Sequence, residues 1–480
     1  MSPQSSTVRT ALTHAGRSVL PESTQSNPRL RQVIADRREI AAMTRERVSS
    51  PISTMRFYLL TSPGKLLVIL LGLMLACLLT GFYSASALNT RSATLESLID
   101  RTEPQAESAE VLYSSLSVAD AAANSAFISG GRESTGLRDR YADAIASAGT
   151  ALVASADGAG RDTARHDDQP SVHDDLETLS TRIPTYTGVI ETARTNNRLG
   201  YPVGSAYLVQ ASSLMQDTML PAAQRLYDQR SAAISEPQRT LTVPPWGVYV
   251  ALFMTILMLL LCSRYLARRT RRHFNSGYVA AAAALVIGML WLLVTGLTSV
   301  AAANTAKNNG AEPLHELTTM RILTQQARSV ETLTLIRRGD PGQRDRTFGQ
   351  SVDQIRSMTG TLLDEHPHDP GIRDPLDDVS RSLDGWERAH QAVTTKLASG
   401  DFEGARDLTI GSGGDSTATG YQQVNDALLR AINDTRDTFR ENINTAQQLL
   451  GYTGTGIGTL CFVAAIAVLA GMIPRLREYR

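Results

Sequence analysis

Cysteine is nearly absent. Only Cys77, Cys262 and Cys461 occur in 480 residues, and all three lie in apolar runs. The polar parts therefore hold no disulfide framework, and blocks of about 150 residues can bury a core without one. Catalytic signatures are missing too. The chain has no P-loop, no protein-kinase signature, no nucleophile elbow and no His-Glu-x-x-His helix. These absences lead to the expectation of a protein that is not an enzyme and uses no cofactor. Charge is missing from four long apolar stretches, between Lys65 and Arg91, Arg239 and Arg264, His273 and Lys307, and Glu441 and Arg475. A span takes about 20 apolar residues. Ionisable residues inside spans mark ion or proton paths, so their absence argues against a channel or pump.

What is present is a partition of charge. The net charge is zero, with 47 basic and 47 acidic residues. Residues 1–65 hold ten Lys/Arg and four Asp/Glu, and the tail from Arg475 holds three and one. The turn between the two middle apolar runs carries Arg264, Arg268, Arg269, Arg271 and Arg272 and no acid. The polar blocks are acidic, with 13 basic and 20 acidic residues in 89–240 and 16 and 22 in 304–450. Basic flanks stay in the cytoplasm. The expected layout is a cytoplasmic segment 1–65, spans at 66–88, 246–266, 277–300 and 453–474, outer blocks at 89–240 and 304–450, a basic turn at 267–275 and a tail at 475–480. Both termini are then cytoplasmic in a multi-pass plasma-membrane protein, with no signal peptide removed. Acidic outer blocks argue against nucleic acid as a partner.

Residues 1–28, rich in Ser, Thr, Pro and Gln, predict disorder. Residues 29–47 predict a basic amphipathic helix on anionic lipid or a docking site for a cytoplasmic partner. Each outer block predicts four helices. In the first they run over about 104–128, from 136 onward, over 174–197 and after 202. Leu208, Ala211, Met215, Met219, Ala222 and Leu226 step by three and four, as a buried helix stripe does, and Pro221 predicts a kink there. The second block repeats the first. Glu103-Pro104 answers Glu312-Pro313, Gly-x-Arg-Asp-Arg recurs at 136–140 and 342–346, and 200–208 answers 400–408. Its last helix steps through Tyr421, Val424, Leu428, Ala431, Thr435 and Phe439, and 410–420 interrupts it. The fold class is thus all-α, with four transmembrane helices and two extracytoplasmic up-and-down four-helix bundles related by internal duplication.

Helix directions place the joins 129–136, 198–204, 337–343 and 399–404 at the tips far from the membrane. Arg138, Asp139 and Arg140, with Arg344, Asp345 and Arg346, stand there as candidate partner contacts, because arginines pair with carboxylates. The alternative is ion pairing within the bundle. Gly136, Gly200, Gly342 and Gly400 are expected in turns with positive φ. The His/Asp-rich joins 166–175 and 365–375 contain metal-ligand residue types, but their spacings differ and the same residues serve as loops and caps, so no metal is expected. The loop 411–415 is a weak anion cradle. Arg268, Arg269, Arg271 and Arg272 are candidate contacts to lipid or to a cytoplasmic partner.

LLTSPGKL before the first span, ADAAANSAFISGGRE with RDRY, and GYPVGSAYLVQASSLMQDTMLPAAQRLY resemble the GlnX-type family of actinobacterial membrane proteins. The likeness runs from about Arg56 and is strongest in the first copy. It implies four spans and two helical sensory bundles. It also implies a relay in which an extracytoplasmic solute-binding lipoprotein for glutamate, glutamine or aspartate reports through the membrane protein to a soluble Ser/Thr kinase. The residues themselves leave two alternatives: a receptor that binds a small ligand directly, and an envelope scaffold that transmits nothing. A homo-oligomer is compatible with each, and the lipid bilayer is a partner in all.

Overall fold

The computed structural model describes residues 62–129, 134–156, 171–270, 275–336, 341–411 and 413–477. The segment 29–47, Arg271 and Arg272 lie outside the described residues. The chain divides into a unit of Met1–Leu71 with Glu478–Arg480 and a unit of Gly72–Arg477. Of the first, the described part is the helical start of α1. The second holds both polar blocks.

Helix α1 (Ser62–Ser97) runs through a π-turn at Leu98–Thr102 into α2 (Glu103–Ile128). Helices α3 (Thr135–Ala156) and α4 (Val172–Arg198) follow. Then α5 (Val203–Leu214), a π-turn at Met215–Met219, α6 (Leu220–Leu241) and α7 (Trp246–Thr270) return the chain. The second copy begins with α8 (Ser276–Ala306), which passes through a π-turn at Lys307–Ala311 into α9 (Glu312–Ile336). It ends with α10 (Pro341–Glu365), α11 (Pro370–Ala398), α12 (Phe402–Ile410), α13 (Thr417–Gly451) and α14 (Thr453–Arg477). No strand occurs among the described residues. The protein is an all-α membrane protein.

Proline explains the π-turns. Pro104, Pro221 and Pro313 each follow a π-turn's last residue by two positions. A proline lacks the N–H and crowds the carbonyl one turn back, and widening that turn accommodates the ring without breaking the helix. The kink expected at Pro221 takes this form. The π-turns entering the two copies lie 209 residues apart, as do the two Glu-Pro pairs. In the second copy α13 has no proline and runs unbroken for 35 residues.

Among the described residues, four helices are long and apolar enough to cross a membrane. Their large apolar side chains face outward, among them Leu79 and Phe82 on α1, Phe253 on α7, Val294 on α8 and Phe462 on α14. That outward apolar surface is what lipid requires. The helices join through small residues and short polar contacts. Thr80 and Thr255 are hydrogen-bonded at 2.7 Å, Tyr249 donates to the Leu292 carbonyl at 3.1 Å, and Asn275 donates to the Gly471 carbonyl at 2.9 Å. A methyl on Gly277 would meet the Ala467 carbonyl and the Gly471 backbone, so only glycine permits this approach of α8 to α14.

Each polar block is a four-helix bundle. The stripe Leu208, Ala211, Met215, Met219, Ala222 and Leu226 is buried, as expected, in a core with Leu112, Leu116, Leu179 and Tyr186. In the second bundle Val424, Leu428, Ala431, Thr435 and Phe439 are buried, with Trp386 and Leu383 in the same core as the first three. Two expectations need correction. Gly200 and Gly400 have φ of 74° and 81°. Gly136 and Gly342 do not: they lie in the first turns of α3 and α10, where helical φ is negative. The His/Asp joins supply caps. Ser171 and Asp174 form a reciprocal capping box on α4, and Asp369 caps α11. The segment Gly413–Ser416 likewise closes onto α13, where Ser416 is the N-cap.

Candidate functional site

The two bundles share a seam where α2 meets α9 and α13. One side is acidic. Glu103, Glu107 and Glu110 rise along α2 at steps of four and three, which stacks them on one face. The other side is basic. Arg436 reaches Glu103 at 3.0 Å, Glu107 at 3.3 Å and Glu110 at 2.9 Å. Arg440 pairs with Glu103 at 2.6 Å and Glu107 at 3.0 Å, and Arg321 pairs with Glu110 at 2.5 Å. Glu103, Glu110 and Arg436 are buried. Burial raises the Glu103 carboxyl above its usual range, while Arg440 and Arg436 oppose that shift.

Further from the spans the seam becomes neutral. Gln325 donates to Ser114 at 2.9 Å and Gln326 to Tyr113 at 3.2 Å. At its far end Gln216 bridges the copies, donating to Asp120 at 3.1 Å and to Ser329 at 2.7 Å. Asp120 and Ser329 occupy the same position in the two repeats, 209 residues apart. Parallel helices meeting through equivalent residues describe a pseudo-dimer within one chain. Asp120 also accepts from Tyr186 at 3.2 Å, Ser212 at 3.0 Å and Asn124 at 3.2 Å. Burial pushes its carboxyl up to about 6, against the pull of these donors.

That value fixes a sign. The folded chain binds a proton at Asp120 that the unfolded chain, near 3.9, releases. Asp120 is neutral and harmless at low pH and carries its full burial cost above about pH 6, roughly 3 kcal/mol at most. Asp120→Asn should therefore gain stability relative to the wild type, by roughly 1–3 kcal/mol, between pH 5 and pH 7.5. Melting both proteins across this range checks it, and a constant difference would contradict it.

The second bundle carries its own polar chain. Arg328 donates to Glu331 at 2.6 Å, to Thr417 at 2.9 Å and to the Thr409 carbonyl at 2.9 Å. Glu331 meets His390 Nδ1 at 2.9 Å, and His390 Nε2 meets Asp345 at 3.0 Å. Burial disfavours the imidazolium, but carboxylates on both ring nitrogens raise the His390 pKa above its usual value. Asp345, a tip candidate, is thus tied inward. Arg346 turns back to the Gly342 carbonyl at 3.0 Å, and Arg344 is half-buried. In the first copy Arg138, Asp139 and Arg140 are exposed on the first turns of α3, and Ile190 stands where the second copy has His390. Arg268 is exposed near the end of α7, and Arg269 lies in the same helix.

The sequence reading missed the seam. Its signal was present in the helical spacing of Glu103, Glu107 and Glu110 and of Arg436 and Arg440, on helices of opposite copies.

Residues 94–239 match the family model of the actinobacterial sensor domain. The match begins in the last turn of α1 and ends in α6, so it covers the first bundle with its two π-turns. The second bundle repeats its architecture beyond the matched stretch. No curated protein and no solved structure gives a significant match. The chain is a multi-pass membrane protein whose first bundle is similar to a sensor domain, and the seam joins that bundle to its repeat.

Proposed function

We propose that this chain is the membrane-spanning member of a sensory relay. An extracytoplasmic solute-binding lipoprotein, loaded with glutamate, glutamine or aspartate, docks at the distal tips. Docking shifts the sensor domain against its repeat, and the spans carry the shift to a cytoplasmic Ser/Thr kinase. The chain performs no catalytic step itself, and ATP hydrolysis by the pure protein would contradict this. The observation that supports the reading is the seam. Two bundles, each continuous with a span through a π-turn, meet through buried charges and hydrogen bonds. Such contacts fix register and have alternative partners one turn away, whereas a close-packed apolar core resists sliding.

The basic turn and basic termini support an orientation with both ends in the cytoplasm. Cysteines replacing Ser134 and Thr270 check this on intact cells, since an impermeant thiol reagent should label the first and spare the second.

The tip of the first copy is the proposed docking surface, because Arg138, Asp139 and Arg140 are all exposed on the first turns of α3. Exposed substitutions usually change stability by no more than about 0.5 kcal/mol. Losing one partner of a desolvated interface pair costs about 2–5 kcal/mol. Arg138→Glu with Arg140→Glu should therefore leave melting unchanged and cut recovery of the lipoprotein from membranes at least tenfold. Unchanged recovery by a normally melting variant would remove the tip from the account.

A further inference from the structure

Where the seam nears the transmembrane helices, the bundles part around a cavity of about 860 Å³. Its walls come from the start of α2, from α6, from the π-turn Lys307–Ala311 with the start of α9, from the end of α10 and from α13. The seam carboxylates on its edge are occupied by arginines, and Lys307 is paired with Glu312 at 3.1 Å. Three lining carboxylates remain. Asp228, Glu316 and Glu365 have no ion pair among the described residues. Partial desolvation raises the carboxyls of Asp228, on the exposed side of α6, and of Glu316, and Glu365 raises Glu316 further. Besides Lys307 and Arg436, which are paired with Glu312 and the seam glutamates, the basic lining residues are Arg239 on the rim, His315 and His366.

A second observation is independent of charge. Gln238 lines the cavity, is 2 % exposed, and its Nε2 donates to no group among the described residues. Buried donors are almost always satisfied, and one left over calls for an explanation. A ligand acceptor would supply it. An aromatic surface completes the cavity: the Tyr227 ring stacks on His315 with centroids 6.1 Å apart and planes within 6°.

We propose that this cavity binds a small organic cation that also carries a carboxylate or carbonyl acceptor, the chemistry of a basic amino acid. Its ammonium or guanidinium is held by Glu316, Glu365 and Asp228, and its acceptor by Gln238, with Arg239 at the mouth. A metal ion fits less well, because no three His, Cys, Asp or Glu side chains converge to ligate one among the described residues. Spread carboxylates suit an extended cation instead. The site is built from both copies and touches the Lys307–Ala311 π-turn, so occupancy holds the membrane end of the seam together. This input goes beyond the lipoprotein relay and does not depend on it.

The test is calorimetric titration of the full-length chain in nanodiscs, without any partner protein, using lysine, ornithine and arginine. The expected result is saturable binding of at least one of them. Glu316→Gln with Glu365→Gln should weaken it at least tenfold, as loss of hydrogen bonds to a charged group implies. Where that pair melts early, Asp228→Asn, at an exposed position, should also weaken binding severalfold. Gln238→Leu should weaken the amino acid and leave its decarboxylated counterpart, cadaverine or agmatine, unaffected. No saturation by any of the three amino acids would overturn the proposal. So would binding insensitive to the carboxylates in variants that melt normally, preference for free glutamate, or magnesium binding that needs the same carboxylates. The titrations contain no lipoprotein, so their failure leaves the relay standing, and failure of the relay leaves them readable.

Discussion

Arg436→Met should cost about 3–5 kcal/mol, the penalty for leaving a buried charge without its partner. Arg436 touches all three seam glutamates. Without it Glu103 keeps only Arg440, and Glu110 keeps only Arg321. Glu103 is 1 % exposed and cannot turn to water. Arg440 makes an informative control. Its side chain is about a third exposed, so solvent screens it, and Arg440→Met should cost about 1 kcal/mol or less. Denaturant unfolding of the two variants measures the ratio. Equal small losses would mean that water fills the seam. The buried pairs are not the reason the fold is stable, since apolar residues of the same volume often do as well. They determine which register the two bundles adopt.

Trp386→Ala should cost a similar amount, about 3–5 kcal/mol, for a different reason. Trp386 is fully buried on α11. Its ring meets Phe348 edge-on at 5.2 Å and Tyr421 at 5.9 Å, and Gly420 packs against it so closely that a Cβ there would collide with the Trp386 Cα and Cβ. Truncation leaves a large cavity between α10, α11 and α13. It also frees one wall of the chain from Asp345 through His390 to Glu331, since Phe348 stacks on His390 with centroids 3.7 Å apart. The loss should be larger below neutral pH, at pH 6 rather than pH 8. His390 has a raised pKa, so the stability it contributes is present below its unfolded value near 6.5 and fades as pH rises through the folded one. Thermal unfolding at pH 6 and pH 8 measures both effects. A loss below about 1.5 kcal/mol would show that the second bundle repacks around the void.

Much of the architecture was legible in the residues. Charge-free apolar runs picked out the four helices long and apolar enough to cross a membrane, and three-and-four spacing located the buried faces of α5, α6 and α13. Local chemistry was legible where one residue decides the outcome, as at Gly200 and Gly400. It misled at Gly136 and Gly342, because a glycine beside a turn is also tolerated in a helix's first turn. The tips were half legible. Gly-x-Arg-Asp-Arg marks the start of α3 and α10, but the fate of Asp345 depends on His390, 45 residues away on another helix. The seam was not legible as a site. Glu103 and Arg436 are 333 residues apart, and a stripe of glutamates on a helix reads equally well as a solvated face. Only the packing of the two copies onto one another turns it into a buried contact. Asp120 was hidden by its neighbours in a string of small residues suited to close helix packing.

The first bundle and its repeat meet along the glutamate–arginine seam. Glu107→Cys with Arg440→Cys tests it most directly, in a chain whose Cys77, Cys262 and Cys461 are replaced by serine or alanine. These two side chains touch at 3.0 Å, and each is about a third exposed, so reagents can reach them. Glu103, Glu110 and Arg436 remain to hold the register. The account predicts that a short bifunctional thiol reagent joins the two positions within one chain in native membranes. Cysteines that each react with a monofunctional reagent, yet are never joined, would contradict it.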